Sequence, residues 1–370
     1  MTYPALKDRY NKIDITKDHI SPYEFVNIPS AELNAKISDI ADHIIHAKSM
    51  GASVICTFGA HTIKNGLGIV LGEFIKNRWF THLATNGAGV IHDWEFAFQG
   101  KSSEDVRENV KAGKFGTWDE TGLFINLALM VGAYEGSGYG EAVGSLIVHN
   151  GVNIPDTDEL LHTIKSLSID SMNDDEKIRH TAAAADLLEL IRFLDLPPGF
   201  YPVNHPFADY SLQALSYRLG VPFTSHPMFG HDIIYTHKAN RGSAVGRTAE
   251  RDFLSFANSV SGLSGGVYIS VGSSVMSPMI FEKSLSMARN VLLSEGTALE
   301  DCAIYVIDLQ GQTWDWTKGE PSEDNPAYYL RFMKSFSRMG CPYEYISIDN
   351  RIFFLGLLHT LLERKDTHEY

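Results

Sequence analysis

The chain has 370 residues, 44% of them hydrophobic and 21% charged, the balance of a globular protein with a large buried core. Its formal net charge of -14 excludes the basic footprint that a nucleic-acid partner requires. It has no run of about 18 apolar residues, so no membrane span is expected.

The N-terminus, Met1-Thr-Tyr-Pro, lacks a charged stretch followed by an apolar one, so no signal peptide is expected. Three cysteines, Cys56, Cys302 and Cys341, are too few and too scattered for a disulfide framework or a zinc ribbon. They read as reduced thiols in a cytoplasmic protein.

Residues 1–29 are polar, punctuated by Pro22 and Pro29, and read as an arm over the body or a neighbouring subunit. The rest, 30–370, reads as one large α/β domain with a helical excursion at about 155–195. Ser30 caps a predicted helix over Ala31 to Met50. Val54 to Phe58 is the first core strand, Ile63 to Asn77 a helix and Trp79 to Thr85 the second strand. Such a β-α-β unit makes the two strands parallel. A helix is expected from Trp94, another over Ser103 to Ala112 and a buried one over Glu120 to Ala133. The glycines between Gly132 and Gly144 suggest a flexible loop, and Ser145 to His149 a strand.

Spacing near 3.6 predicts helices over Asp158 to Leu167 and Ile178 to Leu194, with a solvated turn at Asn173-Asp-Asp-Glu between them. A short helix over Ser211 to Leu219 follows. Then come Val221-Pro-Phe-Thr-Ser, a histidine-bearing loop to His231 and strand-like Asp232 to His237. Helices at Thr248 to Ser261, Ser277 to Asn290, Pro326 to Met339 and Asn350 to Arg364 alternate with strands at Val267 to Val271, Ala303 to Asp308 and Tyr343 to Ile348. Alternation of this kind predicts an α/β fold with a doubly wound parallel sheet, Rossmann-like in architecture.

Several of these strands run into small residues before a helix begins. Gly59-Ala60-His61 follows the first strand, Asn86-Gly87-Ala88-Gly89 the second, and Gly272-Ser273-Ser274 the one at Val267. Glycine lacks the Cβ that keeps a phosphate or a ring away. A strand that ends in such a turn presents backbone N–H groups to an anion. These edges predict a nucleotide or dinucleotide crevice at the strands' carboxyl ends. The same glycines also permit tight strand–helix packing. Asp308 and Asp349 each end a strand, where an acid accepts ribose hydroxyls or caps a helix.

The runs Gly59-Ala-His-Thr-Ile-Lys-Asn-Gly66, Thr85-Asn-Gly-Ala-Gly-Val-Ile-His-Asp93, Ser145-Leu-Ile-Val-His-Asn150, Val271-Gly-Ser-Ser-Val275 and Ile348-Asp349, in this order, resemble the deoxyhypusine synthase family. The resemblance implies that family's NAD-binding Rossmann-like fold and a homotetramer. It implies NAD held by Gly59, His61, Thr85, Asn86, Gly87, Ala88, Gly89, Asp93, Gly272, Ser273, Ser274 and Asp349, to which the strand-end reading adds Asp308. The family dehydrogenates spermidine and passes an aminobutyl group through an imine on a lysine to a protein lysine. Pro326-Ala-Tyr-Tyr-Leu-Arg-Phe-Met-Lys334 keeps the family's proline-to-lysine interval, but Tyr328 and Phe332 replace its glutamate and tryptophan. The cofactor side therefore resembles the family, and the substrate side is rebuilt.

Histidines at strand ends or their loops, His61, His92, His149, His226 and His231, are candidates for acid–base work near neutral pH. Of these, His92 and His226 join Lys334 as the catalytic candidates. Each histidine, like Lys334, also has an ordinary structural reading. No His-x-x-x-His helix or carboxylate cluster supports a metal. The expected function is an NAD-dependent transferase or amine-oxidising enzyme with a small-molecule substrate, an amine among the options, other than spermidine plus protein lysine. The alternative is a dinucleotide-binding sensor or structural protein without chemistry.

Overall fold

The computed structural model describes residues 1–167, 174–311 and 313–368, so Asn173 of the expected turn lies outside the described residues. The chain divides into two compact units. A sheet unit comprises Lys17–Gly89, Leu219–His226 and Phe253–Tyr370, and a helical unit comprises Met1–Thr16, Val90–Arg218 and Pro227–Asp252.

The sheet unit holds six parallel strands: β1 (Val54–Phe58), β2 (His82–Thr85), β3 (Phe223–Ser225), β4 (Val267–Val271), β5 (Ala303–Asp308) and β6 (Tyr343–Ser347). Their order is β6-β5-β4-β1-β2-β3. The register pairs Val54 with Val267 and Ile55 with His82, so β1 is central and the strand order reverses between β1 and β4. All five residues of β1 and of β4 are buried, as expected where helices cover both faces. This is the doubly wound α/β architecture that the alternation predicted.

Alternate residues serve opposite faces of the sheet. Ile55, Tyr268, Ile304 and Val306 pack with Phe256, Phe281, Phe332 and Phe336. On helix Ala31–Met50, Ile37, Ile40, Ala41, Ile44 and Ala47 are buried. Ser30 caps that helix through Leu33 N–H, and Gly51 at φ 68° ends it, matching the expected bounds. The helix expected over Ile63 to Asn77 is instead two, Ala60–Lys64 and Gly68–Lys76. The break falls at Gly66, at φ 76°, where a Cβ would lie 2.3 Å from the Asp18 carbonyl oxygen. The incoming chain occupies the space that a continuous helix would need.

The helical unit is built on Asp119–Glu135, which packs against Tyr139–His149 and Asp175–Leu194. Two short antiparallel pairs complete it, Ile13–Asp14 with Lys101–Ser102 and Gly151–Ile154 with Gly199–Pro202. The glycine-rich segment is not a loop, and Ser145 to His149 is helix rather than strand. Gly136, at φ 92°, ends one helix. A Cβ on Gly132 would lie 2.5 Å from that of Ala142, so this glycine brings two helices together. Asp232 to His237 is likewise no strand. It is a 3-10 turn over Ile233–Thr236, held by Asn126 Nδ2 donating to the Ile234 carbonyl (3.0 Å) and Thr236 Oγ1 to that of Gly116 (2.6 Å).

The thiols also differ from expectation. Cys302 and Cys341 are joined as a disulfide with their Cα atoms 5.8 Å apart, and Cys56 alone is free. Separation by 39 residues hid a pair that adjacent strands β5 and β6 bring together. Among the described residues, no helix is long and apolar enough to cross a membrane.

Candidate functional site

Where the sheet order reverses, the turns after β1 and β4 meet. Gly59 N–H donates to the Val271 carbonyl at 3.0 Å, and a Cβ built on Gly59 would lie 2.2 Å from the Gly272 carbonyl oxygen. No other residue fits there without parting the two turns. Gly272 is left-handed at φ 57°, and a Cβ on it would meet nothing within 4 Å. Gly272 and Ser274 are exposed, whereas Ser273 is buried and accepts from Ser277 N–H at 3.2 Å. Below the turns, Thr57 Oγ1 lies 2.7 Å from Ser277 Oγ and 3.0 Å from the Tyr268 hydroxyl. That buried triangle ties β1, β4 and the helix Met276–Ser294 together. A threonine in Val-Ile-Cys-Thr-Phe and a tyrosine in Val-Tyr-Ile-Ser-Val, both inside apolar strands, were the signals that sequence reading passed over.

The β2 turn is shaped by its own residues. Thr85 Oγ1 donates to the Phe58 carbonyl at 2.9 Å, and a Cβ on Gly89 would fall 2.2 Å from that hydroxyl. Asn86 Oδ1 accepts from Gly89 N–H at 2.9 Å. Gly87 is buried and Ala88 half-buried at the start of helix Gly87–Gln99.

His226 follows β3, and its N–H donates to the Thr85 carbonyl at 2.8 Å. Its Nε2 lies 3.0 Å from Thr224 Oγ1, which lies 2.9 Å from His82 Nε2. His82 Nδ1 in turn lies 2.8 Å from Ser259 Oγ. Burial pushes both imidazoles down to about 3, so they are uncharged at neutral pH.

Asp308 Oδ1 accepts from the N–H groups of Leu309 and Gln310 at 2.6 and 2.9 Å. Asp349 binds the Arg351 guanidinium at 2.9 and 3.0 Å, and that pairing holds its carboxyl below the usual range. His61 is exposed on Ala60–Lys64, with its imidazole lowered by partial burial and by Lys64. Lys334, on Arg331–Ser337, sets its ammonium 3.5 Å from the centre of the Tyr328 ring.

His92 and Asp93 belong to the helical unit. His92 Nδ1 lies 2.7 Å from Ser102 Oγ, which donates to Glu95 at 2.5 Å. Glu95 forms a buried two-point pair with Arg9 at 2.7 and 2.6 Å. Burial acts to raise the Glu95 carboxyl, but Arg9 outweighs it and holds the group low. Asp93 accepts from Ser211 Oγ (2.5 Å), Leu212 N–H (2.9 Å) and Gln213 Nε2 (2.9 Å), anchoring helix Leu212–Leu219. Burial raises this carboxyl despite those bonds.

The same unit contains a second group of buried oxygens. Asp232 is 9% exposed and Tyr139 0%, and among the described residues Asp232 Oδ2 and the hydroxyls of Tyr139 and Tyr235 have no hydrogen-bond partner. Burial pushes the Asp232 carboxyl up to about 7. It also raises Tyr139, on which Asp232, Tyr235 and Asp252 act electrostatically. Asp252 accepts from Gly140 N–H at 2.9 Å, and a Cβ on Gly138 would lie against its Oδ1. The strand-like reading of Asp232 to His237 concealed this group.

No family model and no curated protein matches the chain. Solved structures similar to it include AgrE in its ternary complex with ornithine and NAD+, at 12% identity and a TM-score of 0.44, covering 94% of this chain and 35% of that one. A putative LOR/SDH protein from Methanococcus maripaludis S2 matches at 12% identity and a TM-score of 0.42, covering 94% and 74%. ArgZ, an arginine dihydrolase from the ornithine–ammonia cycle in cyanobacteria, matches at 11% and 0.42, covering 89% and 33%. The chain thus spans about a third of AgrE and of ArgZ. The resemblance to the deoxyhypusine synthase family does not hold: no family model matches the chain, and AgrE, ArgZ and the LOR/SDH protein, to which it is similar in structure, are not of that family. The transfer reaction and the homotetramer that it implied go with it. Short glycine-bearing turns in matching order recur in many doubly wound sheets, and that order misled.

Proposed function

We propose that the sheet unit binds a dinucleotide, NAD, across the carboxyl ends of β1 and β4, and that the protein is an enzyme using it on a small amine. The observation that carries the first half is the meeting of Gly59 and Gly272 where the strand order reverses. Dinucleotides bind at that switch point in sheets of this order, where bare backbone admits a pyrophosphate. Gly272, Ser273 and Ser274 would face the phosphates, and His61, Thr85, Asn86 and the glycines Gly87 and Gly89 would border the same edge. For a ribose, Asp308 is the better acid, since both Asp349 oxygens are committed to Arg351. NAD, when bound, supplies a hydride acceptor.

The amine reading rests on Asp232. A buried carboxylate lacking a partner at Oδ2, near two hydroxyls that also lack one, would be stabilised by an ammonium group. For Lys334 the non-catalytic reading is favoured, because its charge rests on the Tyr328 ring. The test is a thermal-shift series with NAD, then with small primary amines, on wild type and Asp232→Asn. NAD should stabilise both proteins, and amines only the wild type. No shift with millimolar NAD would refute the dinucleotide reading, and equal amine shifts would refute the role of Asp232.

A further inference from the structure

We propose that Cys302 and Cys341 are a reversible thiol–disulfide pair in which Cys341 is the entry point for a low-molecular-weight disulfide and Cys302 resolves the adduct. Cys302 stands just before β5 and is 2% exposed, whereas Cys341 lies in the turn before β6 and is half-buried. Their Cα separation of 5.8 Å lies within the range that a disulfide spans without backbone movement.

The two sulfurs are chemically unlike. Arg289, on helix Met276–Ser294, sets Nη2 3.7 Å from Cys341 Sγ while Nη1 donates to the Met339 carbonyl at 2.7 Å. Gly340, left-handed at φ 71°, curls the turn around the guanidinium, and its Cβ position lies 3.6 Å from Nη2. A guanidinium fixed in this way stabilises a thiolate, the nucleophilic form. Arg289 and Met339, the neighbours of Cys341 at this turn, also border an open groove of about 430 Å³. Cys302 borders a separate groove of about 710 Å³ but exposes only 2% of its surface and, among the described residues, has no guanidinium beside its sulfur, so the half-buried Cys341 is the more open of the two. Cys56, fully buried with its thiol pushed up by burial, is an internal control that stays inert.

The chemistry balances with glutathione disulfide as oxidant. The Cys341 thiolate attacks one sulfur, the S–S bond of the oxidant breaks, and one glutathione thiolate leaves and takes a proton from water. Cys302 then gives up its proton to solvent and attacks Cys341 Sγ, expelling the second glutathione. Two protein thiols are oxidised and one small disulfide is reduced to two thiols.

The experiment uses the full-length protein, reduced, freed of reductant and treated with glutathione disulfide under native conditions, then read by intact-mass and peptide mapping. Wild type should lose two hydrogens and keep no glutathione. Cys302→Ser should keep one glutathionyl group, on Cys341, and Cys341→Ser none. Arg289→Met should slow the first step about tenfold near neutral pH, with Arg289→Lys recovering most of the rate. Modification of Cys302 in Cys341→Ser, or no reaction at Cys341 in Cys302→Ser, would overturn the proposal. If Arg289→Met does not fold, the two serine variants still decide.

Discussion

Gly59 and Gly272 touch at the carboxyl edge of the sheet: a Cβ on the first would lie 2.2 Å from the carbonyl oxygen of the second. The obstacle is backbone, which cannot rotate aside. Gly59→Ala should therefore part the β1 and β4 turns and cost about 1–3 kcal/mol, the usual range for overpacking. Chemical denaturation of the variant would measure this. An unchanged midpoint would mean that the two turns are not in contact in solution.

Gly272 presents the opposite case, with open space at its Cβ position and a left-handed φ of 57°. Asparagine and aspartate both tolerate that conformation and match in shape, so each should cost about 1 kcal/mol or less relative to glycine. They differ in charge. Gly272→Asp should weaken NAD at least tenfold more than Gly272→Asn, because a carboxylate would face the pyrophosphate. Equal affinities by calorimetry would remove the phosphates from this turn.

Asp232 makes stability depend on pH in an unusual direction. Its carboxyl is raised to about 7 from an ordinary 3.8, so between those values the folded protein holds a proton that the unfolded chain has released. Stability from this group therefore falls as pH climbs from 4 to 7, by an amount on the order of 4 kcal/mol. Asp232→Asn should abolish that slope. The variant should match wild type near pH 4 and exceed it near pH 8. Parallel pH profiles for the two proteins would contradict the assignment.

Arg9 and Glu95 act in the reverse sense. Glu95 is held below its ordinary value by Arg9, so its contribution is present above the usual carboxylate range and is lost on acidification. Arg9→Met should cost about 3–5 kcal/mol, since it leaves a buried carboxylate without its cation. Glu95→Gln in the same chain should recover part of the loss. A double-mutant cycle with no coupling would show that the pair contributes nothing.

His82 and His226 should stay neutral between pH 5 and 8, with ring nitrogen shifts that do not titrate, because burial sets both near 3. Their stabilising effect is lost as pH falls below the ordinary histidine value, where the unfolded chain takes up protons first. Thr224→Val would leave facing imidazole nitrogens unpaired and should change the tautomer signals of both rings. Titration of either ring near pH 6.5 would place it in contact with water.

The sheet was readable in the sequence because its strands are short apolar runs bounded by glycine and its helices keep a 3.6-residue period. Ser30 and Gly51 even fixed the first long helix at both ends. Local pattern failed where a distant element decided the outcome. The glycines of Gly132 to Gly144 looked like a loop because Asp252 and Gln213, which Gly138 and Gly144 pack against, lie far along the chain and cannot be inferred from spacing. Ile233-Ile-Tyr looked like a strand because nothing local announces Asn126, or the Gly116 carbonyl to which Thr236 donates, and these hold it as a turn. The glycine edges were found, yet the strand order that makes two of them neighbours is a property of the sheet alone.

The central claim is that a dinucleotide sits over the β1 and β4 turns, and an NAD titration followed at assigned backbone amides tests it most directly. The account predicts saturable shifts at Gly59, Gly272 and Ser274, with Gly266 and Asp301 at the amino ends of the strands unmoved. No perturbation at millimolar NAD, or one confined to residues away from those turns, would contradict it.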